Sequence, residues 1–231
     1  MTHGLFRAAL AILAWCGVVA TLPTMAGAAM DTREAFGLLE RAKSGDATAV
    51  DELRRNAEAG DPVAQTGLAT VYLAGLAGVA KDDAEAARLT RLAADQGFPP
   101  AEYDMALLYF TGRGVPKNME ESARWLEKAA NRGIPAAQNN LALLYAMGQG
   151  VPKDLKKSAA LFRKSADQGF AEAQNNLGVL YANGDGVKKD PKEAKKWFEK
   201  AAAQGHPGAQ RNIELLQQQQ SQEQPQKSKQ K

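Results

Sequence analysis

Cysteine and histidine are nearly absent from this sequence. Its 231 residues include one cysteine, Cys16, and two histidines, His3 and His206. A single cysteine cannot build a disulfide framework, and His206 has no nearby Cys or His with which to form a zinc site of three or four ligands. Because no Ser/His/Asp or His-Glu-x-x-His arrangement is present either, the equipment for acid–base catalysis is minimal. We therefore expect no enzyme activity, no metal and no other cofactor.

Aromatic side chains and net charge are also limited. Phe, Trp and Tyr make up 6% of the chain, and 29 Lys and Arg against 26 Asp and Glu leave a formal net charge of +3. Nucleic-acid-binding proteins usually concentrate basic residues on one face, so nucleic acid is not an expected partner. The hydrophobic fraction of 45% is nevertheless ample for a folded core.

No transmembrane segment is expected in the mature chain. The N-terminal apolar run Ala8–Ala20 is shorter than the roughly 20 residues of a membrane span. Arg7 precedes this run and Ala26-Gly-Ala28 follows it, a pattern typical of a cleavable secretory signal peptide. We predict a signal peptide over residues 1–28 and a periplasmic or secreted protein that starts at Ala29.

A lipid anchor is the alternative at this end of the chain. Leu13-Ala-Trp-Cys16 places a cysteine at lipobox spacing after a leucine, which would give a lipoprotein of the outer membrane or cell wall. Trp15 stands where that motif has Gly, Ala or Ser, so the cleavable signal peptide is the preferred interpretation and Cys16 is a small apolar residue within it.

The dominant pattern is an internal repeat. A small residue before Gln or Glu recurs at a spacing of 36 or 37 residues, and so does a tyrosine. The small residues are Ala64, Ala101, Ala137, Ala173 and Ala209, and the tyrosines are Tyr72, Tyr109, Tyr145 and Tyr181. A fixed period of this length indicates stacked supersecondary units. We expect Tyr145, as a representative of the tyrosine position, to be buried between helices.

Each unit has the signals of two helices. The first helix opens near a proline such as Pro135 and ends at a glycine such as Gly148. Asn118, Asp154 and Asp190 are placed to cap the second helix. We predict an all-α fold with a degenerate capping helix pair over 29–60 and four repeats plus a terminal helix over 61–216. A Gln/Lys-rich tail over 217–231 without apolar side chains is predicted to be disordered. Trp125 and Trp197 are expected to pack in the core.

The repeated block resembles the Sel1-like repeat, a 36-residue relative of the tetratricopeptide repeat. At Ala171–Asp190 it has nearly the whole pattern Ala-x-Ala-Gln-x-Asn-Leu-Gly-x-Leu-Tyr-x-x-Gly-x-Gly-Val-x-x-Asp. The resemblance implies a right-handed α-solenoid whose first helices line a concave surface. It also implies an exported adaptor that holds partners, as in regulators of envelope sensor kinases or scaffolds of polysaccharide export. A cysteine-rich branch is linked to β-lactam hydrolysis, but its members carry a disulfide in each repeat.

Analogy with tetratricopeptide repeats predicts the residues of a partner-binding groove. They lie at matching positions of successive first helices and one or two helical steps further on. The predicted residues are Thr66, Tyr103, Leu107, Phe110, Asn139, Leu143, Asn175, Val179 and Arg211. Amide side chains there could grip an extended peptide because they both donate and accept hydrogen bonds. We expect a monomer that binds a protein or peptide in this groove.

Two points about this groove stay open from the sequence. Leu107, Leu143 and Val179 could equally be packing residues between adjacent first helices. In each of the pairs Asn139-Asn140 and Asn175-Asn176, one asparagine is expected to satisfy backbone groups of the neighbouring hairpin, which would leave the other to face the groove.

Overall fold

The structure is a computed structural model that describes residues 30–228, with the backbone alone for residue 220 and residues 222–228. The predicted signal peptide over 1–28, including Cys16, lies outside the described residues, as do residues 229–231. The described part consists of eleven α-helices and has no strand. The predicted all-α fold class is thus confirmed.

The helices pair into hairpins in chain order. They are α1 (Thr32–Lys43), α2 (Ala47–Glu58), α3 (Pro62–Ala74), α4 (Asp83–Asp95), α5 (Pro99–Thr111), α6 (Met119–Asn131), α7 (Pro135–Met147), α8 (Leu155–Asp167), α9 (Ala171–Asn183), α10 (Pro191–Ala203) and α11 (Ala209–Ser228). The chain divides into two compact units, the first ending at Trp125 and the second starting at Leu126. In the first unit α3 packs on both α2 and α4, and in the second unit α9 packs on both α8 and α10.

The helices begin where the sequence places their caps. In the second unit the carboxylate of Asp154 accepts a hydrogen bond from the backbone N–H of Lys157 at 2.9 Å. Asp190 caps α10 in the same way, accepting from Lys192 and Glu193. These bonds satisfy N–H groups that have no partner within the helix.

Glycine ends the first helix of every repeat. Gly148 follows α7 in the left-handed conformation, with φ 71°, and its N–H donates to the carbonyl of Leu144. The turn after α9 has a further requirement, because a Cβ on Gly186 would lie 2.1 Å from the carbonyl oxygen of Leu155. That turn therefore packs directly onto the start of α8, the second helix of the preceding hairpin.

The core consists mainly of alanine, leucine and a few aromatic side chains. Trp125 and Trp197 are 3% and 5% exposed, which confirms their predicted packing role. In the second unit Trp197 joins Phe162 and Leu177 in one cluster, while Phe198, Ile213 and Leu216 form another. Alanines between them let neighbouring helices approach closely, so few large side chains are needed.

The terminal helix is longer than predicted. The sequence predicts that this helix ends at Leu216 before a disordered tail over 217–231, whereas α11 continues to Ser228, so the predicted helix end is wrong. Among the described side chains Leu216 is the last buried one. A helix anchored up to that point can extend through glutamines, which are good helix formers, because propagation is far easier than nucleation. Lack of apolar residues excludes a core but does not exclude a helix.

Between residues 30 and 228, no helix has both the length and the apolar character that crossing a membrane requires.

Candidate partner-binding surfaces

The predicted groove residues of the first unit differ in exposure. Thr66 is only 4% exposed, and its hydroxyl donates to the carbonyl of Pro62 at 2.8 Å within α3. It is therefore not available to a partner. Tyr103, Leu107 and Phe110 are half-buried along α5, and the ammonium of Lys117 lies 5.7 Å from the centroid of the Phe110 ring. Part of this α5 row remains at the surface.

The asparagines of the second unit bind one another. Asn139 is 4% exposed, and its side-chain oxygen accepts from the amide of Asn176 at 3.1 Å. Asn175 accepts in the same way from Asn212 at 2.8 Å. These amide pairs connect α7 to α9 and α9 to α11. Asn139 is too deeply buried to face a groove.

A glutamine in each of three first helices satisfies a backbone carbonyl of the preceding hairpin. The amide of Gln174 donates to the carbonyl of Ala166 at 3.2 Å, and its oxygen accepts from Gln204 at 2.7 Å. The same arrangement recurs at Gln65 with Ala57 and Gln96, and at Gln138 with Ala130 and Gln168. Each glutamine thereby fastens a first helix to the end of the preceding second helix. The recurrence of a glutamine directly before each asparagine pair was the signal in the sequence that could have indicated this role.

The remaining predicted residues lie in the second unit. Leu143 packs against the cluster of Leu177 and Trp197, and Val179 packs against the cluster of Phe198. Both keep part of their surface exposed, as does Asn175, and Arg211 is exposed. Leu143 and Val179 therefore contribute to packing, which was one of the two interpretations left open.

The repeated tyrosine position carries a feature that the sequence did not reveal. Arg91 of α4 lies between two rings, with its guanidinium 5.7 Å from the centroid of Tyr109 and 5.1 Å from that of Trp125. It also donates to the Tyr109 hydroxyl at 2.6 Å. A guanidinium over an aromatic face is held by the ring quadrupole. We call this arrangement the arginine stack.

A second arginine stack occurs in the second unit. Arg163 of α8 lies 5.5 Å from the Tyr181 ring and 5.9 Å from the Trp197 ring, and it donates to the Tyr181 hydroxyl. The ammonium of Lys200 adds a contact with Trp197 at 4.0 Å. The two stacks are 72 residues apart in the sequence, the spacing of the two tryptophans.

Tyr145 has neither a tryptophan nor an arginine over its ring. The ammonium of Lys157 lies 5.2 Å from the ring centroid, and the tyrosine is half-buried. Tyr145 is therefore less buried than predicted. Leu161 and Glu127 stand where a stack would place its tryptophan and arginine, so the ring is covered by a flexible charged side chain.

The first repeat has an open cleft at its tyrosine. A cavity of about 480 Å³ lies between α2, α3 and α4, and Tyr72 and Leu89 form part of its wall. Leu92, at its edge, is 41% exposed. The further lining residues are Arg54, Ala57, Glu58, Gly60, Gln65, Leu68, Glu85 and Arg88. A cavity of this volume lies within the range of ligand-binding sites.

One carboxyl of α5, that of Asp104, is a weaker acid than an ordinary aspartic acid. Burial raises the pKa of Asp104 to about 7. It follows Tyr103 and occupies the repeat position of Asn140, Asn176 and Asn212. By contrast, hydrogen bonds from Arg113 lower the pKa of Asp83. Among the described residues there is no group of three or more His, Cys, Asp or Glu that could hold a metal ion.

Comparison with known proteins identifies the repeats. The family model described as Sel1 repeat matches residues 62–98, 99–134, 135–170 and 171–206, which together exceed half of the chain. None of the curated proteins compared with the chain matches it significantly.

Solved structures show the same fold. A Sel1 repeat protein from Oxalobacter formigenes is 36% identical with a TM-score of 0.68, over 80% of this chain and 60% of that protein. A protective antigen of uropathogenic Escherichia coli with an SLR fold is 40% identical with a TM-score of 0.66, over 68% of this chain and 33% of that protein. An immunity protein from Pseudomonas aeruginosa is 25% identical, with a TM-score of 0.52 over 81% of this chain. The chain thus matches only part of the length of the first two.

Proposed function

Since this chain belongs to the Sel1 repeat family, we propose that it is an exported adaptor that holds a protein partner on the exposed faces of its repeats. Sel1 repeat proteins generally mediate protein–protein interaction. The observation that carries the proposal is the α5 row, in which Tyr103, Leu107 and Phe110 keep part of their apolar surface at the exterior. Aromatic side chains such as Tyr103 and Phe110 are enriched at protein interfaces and often act as their anchors.

The partner is proposed to belong to the periplasm or the medium. Support comes from the signal-peptide pattern around Ala8–Ala20 and Ala26-Gly-Ala28. An envelope signalling or export system would provide such a partner. Two of the matched structures are a protective antigen and an immunity protein, and a binding role for this chain is in keeping with both.

Site-specific crosslinking in cells tests the adaptor function. A photoreactive amino acid replaces Leu107 in the α5 row, and in a control it replaces Arg124, an exposed residue of α6. We expect a discrete adduct from position 107 and none from position 124, with the partner identified by mass spectrometry. Absence of any discrete adduct from position 107 would contradict the proposal, and so would equal labelling from both positions.

A further inference from the structure

The open cleft of the first repeat occupies the place of an arginine stack. Leu89 lies seven residues after the cap Asp82, as Trp197 lies seven residues after the cap Asp190. Tyr72 stands at the shared tyrosine position. The first repeat therefore has the tyrosine of the stack but a leucine in place of its indole.

The arginine of the stack is also present at the cleft. Arg163 precedes Ala166, the carbonyl acceptor of Gln174, by three residues. Arg54 precedes Ala57, the carbonyl acceptor of Gln65, by the same three residues. Arg54 lines the cavity together with Tyr72 and Leu89. Two of the three members of an arginine stack are thus in position around an empty space.

One position at the edge of the cleft differs from its counterparts in the later repeats. Leu92 stands where the later repeats have Lys128, Lys164 and Lys200. In the last of these the ammonium covers the face of Trp197. In the first repeat an exposed leucine takes this place, beside a lining that includes the guanidinium groups of Arg54 and Arg88. A wall that combines apolar side chains with guanidinium groups suits an aromatic occupant.

We propose that the cleft between α2, α3 and α4 binds a tryptophan side chain of the partner protein, seated against Tyr72 and under the guanidinium of Arg54. This proposal rests on the adaptor function and assigns the partner an anchor. The chain supplies the template itself, because its own indoles fill the corresponding place beside Tyr109 and Tyr181. A partner's indole would complete the third stack between chains.

Arg54 is free to take part at low cost. Its guanidinium donates to Asp51 at 2.8 Å, and the side chain of Asp51 is 63% exposed. Exposed ion pairs of this kind contribute little to stability. Arg54 can therefore exchange this partner for an aromatic face, and a buried tryptophan is among the strongest anchors that an interface can have.

Nuclear magnetic resonance titration with N-acetyl-tryptophanamide tests whether the cleft binds an indole. The sample is the purified protein in the form that accumulates in cells. We expect the resonances of Leu68, Tyr72 and Leu92 to shift with a Kd of about 1 mM. N-acetyl-leucinamide serves as the non-aromatic control and should bind at least about threefold more weakly. No shift of these resonances with N-acetyl-tryptophanamide, or equal shifts with both probes, would overturn the proposal.

The decisive variant places an indole of this chain in the cleft. Leu89→Trp should abolish the probe-induced shifts because it completes the stack within the chain, whereas Leu161→Trp in α8 should leave these shifts unchanged. If Leu89→Trp does not fold, Arg54→Ala provides the second test and should weaken probe binding by about two- to fivefold. Unchanged binding in a folded Leu89→Trp protein, or in Arg54→Ala, would overturn the assignment. A cleft closed by another segment of this chain or by a second copy would also leave the probe without effect and would overturn it.

The two proposals fail in different ways. If crosslinking from position 107 captures a partner but the probe does not bind, the aromatic pocket is wrong and the adaptor function stands. If Leu89→Trp excludes the probe but leaves partner capture unchanged, the partner does not anchor in the cleft, and the inference is overturned as well. If no partner is captured by the wild-type protein, the adaptor function itself is contradicted.

Discussion

Asp104 shows how one residue can depart from the repeat at a cost. Its carboxyl stands where three later repeats have an asparagine, and burial raises its pKa from 3.8 to about 7. Between these two values the folded chain holds a proton that the unfolded chain has lost. Stability therefore falls as the pH rises from about 4 to about 7, and the destabilising effect is complete above that range.

We expect Asp104→Asn to stabilise the protein at about pH 8 by about 1–2 kcal/mol, and much less at about pH 5. The whole pKa change of Asp104 would correspond to a larger gain in stability, but the side chain is partly exposed and solvent reduces the effect. Denaturant unfolding of both proteins at the two pH values measures this difference. Asp83→Asn is the control of opposite sign, because Arg113 stabilises the Asp83 carboxylate. An equal gain from Asp104→Asn at both pH values would show that the carboxyl is ionised normally.

At the scale of the elements, the turn between helices is also a contact between hairpins. Gly186 and Gly169 both have positive φ, 69° and 90°. A Cβ at Gly169 would meet nothing within 4 Å, whereas at Gly186 it would lie 2.1 Å from a backbone oxygen of Leu155. The same substitution at the two positions therefore separates conformational strain from steric overlap.

Gly169→Ala should cost about 1 kcal/mol of unfolding free energy, since an alanine in the left-handed region is strained. Gly186→Ala should cost at least about 2 kcal/mol more, because α8 and the turn must move apart. Thermal and denaturant unfolding of the two variants give the comparison. Similar losses would mean that the turn shifts freely and that the close approach does not hold the hairpins together.

The α5 row can be tested as an element whose exposed face binds a partner. Tyr103→Ala together with Phe110→Ala should reduce partner capture by about thirtyfold or more, as expected for loss of aromatic anchors. Both side chains are half-buried, so we also expect a measurable but moderate loss of stability. The helical circular dichroism should be retained.

The matched control for this double variant is Tyr145→Ala, which removes a half-buried tyrosine elsewhere on the chain. It should lower stability to a similar extent and leave partner capture intact. If both variants weaken capture equally, the effect follows from stability, and α5 is not the binding face.

At the scale of the whole molecule, export would determine which partners the protein meets. We predict that the accumulated protein starts at Ala29 or close to it, because the Ala8–Ala20 run followed by Ala26-Gly-Ala28 has the pattern of a cleavable signal peptide. Intact mass and N-terminal sequencing of the protein from cell fractions provide the measurement. A lipid-modified Cys16 would establish the lipoprotein alternative, and intact Met1 protein in the cytoplasm would contradict export altogether.

Local signals in the sequence were sufficient for the repeat and its helix ends. A proline at the first turn, an acidic or asparagine cap and a terminal glycine act through the backbone of their own helix, and this explains why Pro135, Asp154 and Gly148 could be interpreted without neighbours. The period of 36 residues then indicated that identical hairpins must stack.

Only the tertiary structure decided which side chains remain available. Asn139 and Thr66 have polar side chains of the kind that bind partners, yet both are buried within their units. The cleft at Tyr72 is lined by residues from three helices, and no local pattern in the sequence shows that Leu89 borders an open space there. A repeat period constrains each position only on average. A binding site arises where one repeat differs from the others. The consequence of that difference depends on packing between helices that are distant in sequence.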